Sequence, residues 1–332
     1  MSPGTWLVVT LLLPWNAWIS SAQAPSTPAA PTQAFAVSTA PLDVSFCALG
    51  TDPAAYDHKR IRLTAFITYG FEDFNIVDPK CTLPERLNMF SVWVTYAGSV
   101  NSGAIYCCPG EGVQRPKALK IDEVEVPLVD DETFGAFRSL LAKEGDTTVR
   151  LTMSGVFLAG RKTENERGVL WSGYGHMGGG SLFVLQQVER FDSHDRKDLD
   201  YSADGGWYEQ ARFERPCRNS GSMSYGPRAA IDTLWDARAH GITWQGRADS
   251  GEVPWAFDNP SRVATEAAQA EYGKDLKALR LVKKTPVRQV FQWKAGKRSV
   301  VVVVTRPYWM SFFAKTDKVP WTVSMISDSR CD

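Results

Sequence analysis

The sequence predicts a small closed β-barrel crossed by one helix, followed by an α+β domain built on an antiparallel sheet. Three observations predict it. Between residues 59 and 191, five short apolar runs read as strands, while a single run, 131–143, has helical spacing. From residue 226 the order changes, and two helical runs opened by proline precede three strand-like runs. Charge divides near the same place. Residues 43–192 hold 15 basic and 20 acidic side chains, residues 193–332 hold 22 and 17, and the whole chain is neutral.

The chain opens MSPGTWLVVTLLLPWNAWISSAQA. Its apolar core, Trp6 to Ile19, is too short to span a bilayer and is followed by small residues, the pattern of a signal peptide covering residues 1–22. No Lys or Arg precedes that core, so an uncleaved N-terminal anchor is the alternative. Residues 23–42, uncharged and rich in Pro, Ala and Thr, read as a flexible or extended linker. No later segment reaches about 18 uninterrupted apolar residues, so no transmembrane anchor is expected after signal cleavage, and the expected location is periplasmic or secreted.

Six cysteines fit an oxidising compartment. Cys217–Cys331 would tie together the ends of the C-terminal domain. Cys47, Cys81, Cys107 and Cys108 allow three pairings, of which Cys47–Cys81 is the expected one, with Cys107 and Cys108 left open. Zinc is the rival reading. It lacks a CxxC pair, and neither His58 nor His176 has ligand spacing to a cysteine, so no metal and no cofactor is expected.

The barrel is expected over residues 43–192. KRIRLTAFITY (59–69) sets Ile61, Leu63, Ala65 and Ile67 against Arg62, Thr64, Phe66 and Thr68, the alternation of a half-buried strand. EDFNIVDP (72–79) and SVWVTYA (91–97) are two more strands. DETFGAFRSLLAK (131–143) is the helix, opened by Asp131, with Phe134, Phe137, Leu140 and Leu141 on one face and Gly145 past its end. TTVRLTMSGVFLAG (147–160) and SLFVLQQVERF (181–191) are the last two strands. A helix between the third and fourth of five strands is the element order of an OB-fold. An acidic connector, 193–206, leads to the α+β domain, 207–332. There, 226–241 reads as a helix ending at Gly241, with His240 favourably placed at its C-terminus. A second helix, 258–284, has Asn259 as N-cap and Pro260 first. The hairpin PVRQVFQWK–AGKR–SVVVVVTRP, a short turn or helix at 306–315, and the strand VPWTVSMIS follow.

One resemblance extends beyond element order. CALGTDPAAYDHKRIRLTAFITYGFEDFNIVDPKC (47–81) resembles the opening of exported bacterial OB-fold-like proteins of uncharacterised role. These begin with a Cys, then Tyr-x-Gly-Lys-x-Val leading into the first strand, a Glu after the next turn, and a second Cys after an Asp. Tyr56, Lys59, Ile61, Glu72, Asp78 and Cys81 fill that pattern, whereas His58 stands at the turn glycine. GYGH (173–176), before the last strand, is similar too. The resemblance covers residues 43–192 and implies fold and compartment far more than activity.

WSGYGHMGGG (171–180) contains G-x-G-x-x-G, the spacing of a dinucleotide turn. That turn needs a helix N-terminus after the glycines, and here SLFVLQQV follows, so the stretch reads as part of a mobile loop, 161–180, between the last two barrel strands. Such a loop borders the binding face of an OB barrel, which makes Tyr69, Glu72, Tyr174 and His176 the candidate ligand-binding residues. Nucleic acid is an unlikely partner, because the barrel is acidic and the signal directs the chain outwards. Nine cations against one acid fall between Lys274 and Arg298. Lys277, Arg280, Lys283, Lys284, Arg288, Lys297 and Arg298 are therefore the candidate patch for an anionic partner: an envelope protein, an anionic glycan or a lipid. The same charges could instead hold the C-terminal domain against the acidic barrel. Aspartates 192, 195, 198, 200 and 204 lack EF-hand spacing. G-x-S-x-G, H-E-x-x-H and a Walker lysine are absent. The expected function is a non-catalytic binding or interaction module of the cell envelope. The alternative is a hydrolase of envelope glycan, lipid or peptide, which would need His194 or His240 beside a serine or a carboxylate pair.

Overall fold

The computed structural model describes residues 40–70, 73–81, 83, 90–101, 114–165, 168–175, 178–202, 234–273, 276, 279–296 and 298–330. The expected signal peptide, Glu72, Cys107, Cys108, His176, Cys217, Lys277, Lys297 and Cys331 lie outside the described residues, and with them the Cys217–Cys331 pair.

β1 (Leu42–Asp43) runs parallel beside residues 61–62. Ser45 caps α1 (Phe46–Thr51) by accepting the Ala48 amide, and Phe46 and Leu49 are buried in the barrel core. β2 (Lys59–Gly70) keeps the expected alternation, with Ile61, Leu63, Ala65 and Ile67 at most 2% exposed. Its other face differs from expectation. Phe66 and Thr68 are buried as well, Phe66 in a separate cluster with Leu199, Tyr308, Met310 and Val319.

β3 (Asp73–Val77) and β4 (Val92–Tyr96) follow, then a short hairpin of β5 (Lys120–Ile121) and β6 (Val124–Glu125). α2 (Glu132–Glu144) forms as its sequence demands. The Asp131 carboxylate accepts the Phe134 amide, and Gly145, with φ +69°, ends the helix. Phe134, Phe137 and Leu141 are fully buried, each contributing about 1.5–3 kcal/mol. β7 (Thr147–Leu158) comes next. Residues 161–172, expected within one mobile connection, form a hairpin of β8 (Arg161–Asn165) and β9 (Gly168–Ser172), and β10 (Ser181–Phe191) completes this half.

Five strands close a mixed barrel in the order β2-β3-β4-β10-β7, with β7 returning to β2. β4 and β10 run parallel, Ser181 opposite Val92 and Leu185 opposite Tyr96, and the other four pairings are antiparallel. Closure demands a glycine at Gly155, which faces Ile61 on one side and Leu185 on the other. A Cβ there would overlap the Val184 carbonyl.

The C-terminal half is an α+β layer, as expected, with two helix boundaries in new places. α3 (Leu234–Asp249) runs straight through Gly241. Gly241 is a contact residue, because its Cβ would come within 2.5 Å of the Trp309 ring. His240 therefore lies inside the helix and not at a C-terminal dipole. α4 (Pro260–Tyr272) opens as read, with the Asn259 side chain accepting the Arg262 amide. It stops at Gly273 (φ +97°) and does not continue to 284. β11 (Arg280–Lys284), β12 (Arg288–Ala295), β13 (Arg298–Thr305) and β14 (Thr322–Arg330) form an antiparallel sheet in sequence order. Val263, Ala264 and Ala268 of α4 pack on Phe291, Val300, Val302, Val304 and Ile326. No helix among the described residues is long and apolar enough to cross a membrane.

Candidate functional site

Of the four candidate ligand-binding residues, Tyr69 and Tyr174 lie among the described residues. Tyr69 is 8% exposed in the barrel core, its ring edge-on to Phe74 at 5.3 Å. Tyr174 sits at the opposite end of β2, where a Cβ on Gly160 would touch its ring. Glu72 and His176 fall outside the described residues.

The glycine-rich loop packs by contact. Gly173, Gly175 and Gly178 have φ of +132°, +74° and +69°, and the Gly173 and Tyr174 amides donate to the Gly178 and Gly180 carbonyls. A Cβ on Gly175 would overlap the Trp93 indole, so the loop lies against that ring only because the side chain is missing. The chain then enters β10, a strand, which offers no row of free helical amides for a pyrophosphate.

Beside this loop stands a cluster that sequence reasoning missed. His58 Nδ1 lies 3.2 Å from Asp57, and Nε2 lies 3.2 Å from Asp122. Asp57 also accepts the Ala159 amide at 2.8 Å, which fixes it to the end of β7. His58, Asp122 and Glu123 have φ of +56°, +49° and +65°, and they are the three non-glycine residues with positive φ among the described residues. A residue bearing a Cβ pays about 1–2 kcal/mol in that conformation. Asp122 and Glu123 form the two-residue turn of the β5–β6 hairpin. Burial, then the charges of Asp57 and Asp122, push the Tyr174 phenol above its ordinary value. An imidazole and two carboxylates thus meet on an exposed rim, with a phenol within their electrostatic reach. One signal in the sequence pointed here: His58 stands at the position that the pattern described above gives to a turn glycine.

The cationic run divides among three environments. Arg280, Lys283 and Lys284 stand exposed on β11, together with Leu281 and Val282. Arg298 lies over the Tyr272 ring at 5.1 Å. Arg288 turns inward and bonds Asp200 at 2.6 Å, with side chains 17% and 8% exposed. Lys277 and Lys297 lie outside the described residues.

Asp200 anchors the connector between the two halves. Its Oδ2 also accepts the Thr305 hydroxyl at 2.6 Å, and its Oδ1 accepts the Ser202 hydroxyl at 2.8 Å. Nearby, Asp198 pairs with Arg196 at 2.7 Å, and Asp192, which precedes the connector, lies 3.5 Å from Arg150. Among the described residues, no group of three His, Cys, Asp or Glu side chains is arranged to hold a metal ion.

His194 closes the same junction. Its Nε2–H donates to the Thr148 carbonyl at 3.1 Å, and its ring stacks on Tyr201 at 3.8 Å. Nδ1 is buried without a hydrogen-bond partner among the described residues. A proton there would be a buried charge with no acceptor. Burial accordingly holds the imidazole below its ordinary value, outweighing the Thr148 carbonyl and nearby Glu144 and Asp195, which favour protonation, while Lys143 opposes it. The folded chain binds this proton less readily than the unfolded chain. Stability from this group is therefore complete above about pH 6.5 and falls as pH drops through the lowered folded value. Thermal unfolding at about pH 5.5 should come earlier than at about pH 7.5, and the gap should narrow in His194→Gln, which keeps the donor to Thr148 but does not titrate. An equal gap in both proteins would show that His194 stays solvated.

Comparison of the chain with protein-family profiles, with characterised proteins and with solved structures finds no match in any of the three.

Proposed function

We propose that this chain is an exported, non-catalytic interaction module of the cell envelope, in which an OB-fold-like barrel carries an α+β layer whose basic edge engages an anionic partner. The observation that carries the reading is β11: all five of its residues are exposed, three of them cationic and two apolar. Fixed positive charge beside uncovered apolar surface suits recognition of an anionic partner better than solubility alone would require. The OB-fold-like assignment is supported by the circuit β2-β3-β4-β10-β7, its parallel β4–β10 pair and the helix between β4 and β7. That fold does not by itself name an activity. Export is supported by the Cys47–Cys81 bond.

The test is retention of the protein on anionic supports: glycan arrays, phosphatidylglycerol vesicles and polyglutamate. Arg280→Gln with Lys283→Gln and Lys284→Gln should abolish retention on at least one support that holds the natural chain. Arg288 is left intact, because Asp200 holds it. Identical retention of both proteins on every support would defeat the reading.

A second reading, a hydrolase of envelope glycan, lipid or peptide, is favoured by Asp57–His58–Asp122, in which a rim imidazole touches two carboxylates. It predicts turnover of such material that His58→Gln removes. His194 gives this reading no support, since it bonds a backbone carbonyl and a tyrosine ring.

A further inference from the structure

We propose that β11 is a docking strand, which an acidic, extended peptide of a partner protein joins as a fifth strand of the C-terminal sheet; this rests on the anionic-partner reading above. Among the described residues, β11 is the first strand of its sheet and pairs with β12 on one side. The outer side of an edge strand presents backbone groups that can template another strand. Three large apolar side chains are exposed among the described residues, and two of them, Leu281 (44%) and Val282 (39%), are adjacent on this strand.

The register shows how the charges are disposed. Arg280 and Lys283 oppose Gln292 and Val290, while Leu281 and Lys284 oppose Phe291 and Gln289, with Val282 the extra residue of a bulge. Each face of the edge thus presents cationic surface, and the face shared with Phe291 also presents Leu281 as a continuation of the apolar layer under α4.

These charges select the occupant. Lysines on an edge commonly discourage edge-to-edge association. Two copies of β11 joined antiparallel about Val282 would set Arg280 of each against Lys284 of the other, and like charges across strands repel. A second copy is therefore rejected, while a strand alternating acidic and apolar residues gains cross-strand charge pairs and covers Leu281. A diffuse polyanion would attract the cations but would use neither the apolar pair nor strand pairing. The peptide is the better complement.

The experiment uses the full chain and a fluorescent peptide of alternating glutamate and valine. Three further probes accompany it: the same peptide N-methylated at alternate residues, polyglutamate, and phosphatidylglycerol vesicles. Saturable binding of the first peptide is expected, with slowed amide exchange across residues 280–284. N-methylation, which removes strand pairing and keeps the charge, should weaken binding about tenfold or more, as should Arg280→Glu with Lys284→Glu in the protein. Equal binding of the methylated peptide, or tighter binding of polyglutamate or vesicles, overturns the docking strand and leaves the anionic-partner reading standing. Failure of all four probes overturns both.

Discussion

Asp200→Ala is expected to lower the stability of the folded chain by roughly 3–5 kcal/mol, as when one partner of a buried ion pair is removed. The Asp200 carboxylate accepts from Arg288 and Thr305 at 2.6 Å each and from the Ser202 hydroxyl at 2.8 Å, while its own backbone bonds Arg306 and Tyr308. Truncation takes from a guanidinium that is 17% exposed the carboxylate it touches at 2.6 Å. The Thr305 hydroxyl is less affected, because it also reaches the Val287 carbonyl at 3.0 Å. Two companions make the cause legible. Asp200→Asn keeps one acceptor oxygen, which can face Arg288 and Thr305, and removes the charge, so its loss should be smaller. Asp200→Ala combined with Arg288→Met should recover part of the stability, since both members of the ion pair are then removed and not one alone. Chemical denaturation of the four proteins measures all three expectations. A loss below about 1 kcal/mol in Asp200→Ala would mean that water screens the pair as it screens surface ion pairs.

The same pair shows where reading a sequence stops. Nine cations between Lys274 and Arg298 are visible as a run, but a run has no faces. Arg288 differs from Lys284 only in that β12 begins at residue 288 and turns it toward the connector. Elements set by local rules were readable throughout. Asp131, Phe134, Phe137, Leu141 and Gly145 state the start, face and end of α2 within fifteen residues. The barrel strands were readable for the same reason, as alternation is written in each strand alone. Tertiary causes were not. Gly241 has the look of a helix stop, yet it is small because Trp309 needs the space. β11 is exposed along its whole length, so it lacks the period that would separate it from the helix before it. β8 is exposed over Arg161–Glu164 and gave no alternation either. As for the site, His58 and Asp122 are brought together only by the register of folded strands. The sole local trace of that cluster is a histidine with φ +56° at a position suited to glycine.

Loss of the Cys47–Cys81 bond is the second large effect, expected to be roughly 3–4 kcal/mol. The two residues are 34 apart in sequence, with Cα atoms 5.2 Å apart, inside the normal range for a bridge. A loop of that size removes about this much entropy from the unfolded chain in the loop-closure model. The bond joins α1 to the turn after β3, and α1 brings Phe46 and Leu49 into the barrel core, where Phe46 meets Phe90 at 5.8 Å. Cleavage therefore frees both the unfolded chain and the helix that lays these side chains on the core. Cys47→Ser, Cys81→Ser and the double variant should unfold at the same denaturant concentration, because all three remove one cross-link. Reductant should bring the natural chain close to them, and any further shift seen equally in the variants would come from the remaining cysteines. If reductant leaves the natural chain unmoved, the bond adds nothing and the argument for an oxidising compartment weakens with it. If the single variants differ widely, packing of the individual side chains, and not chain entropy, sets the effect.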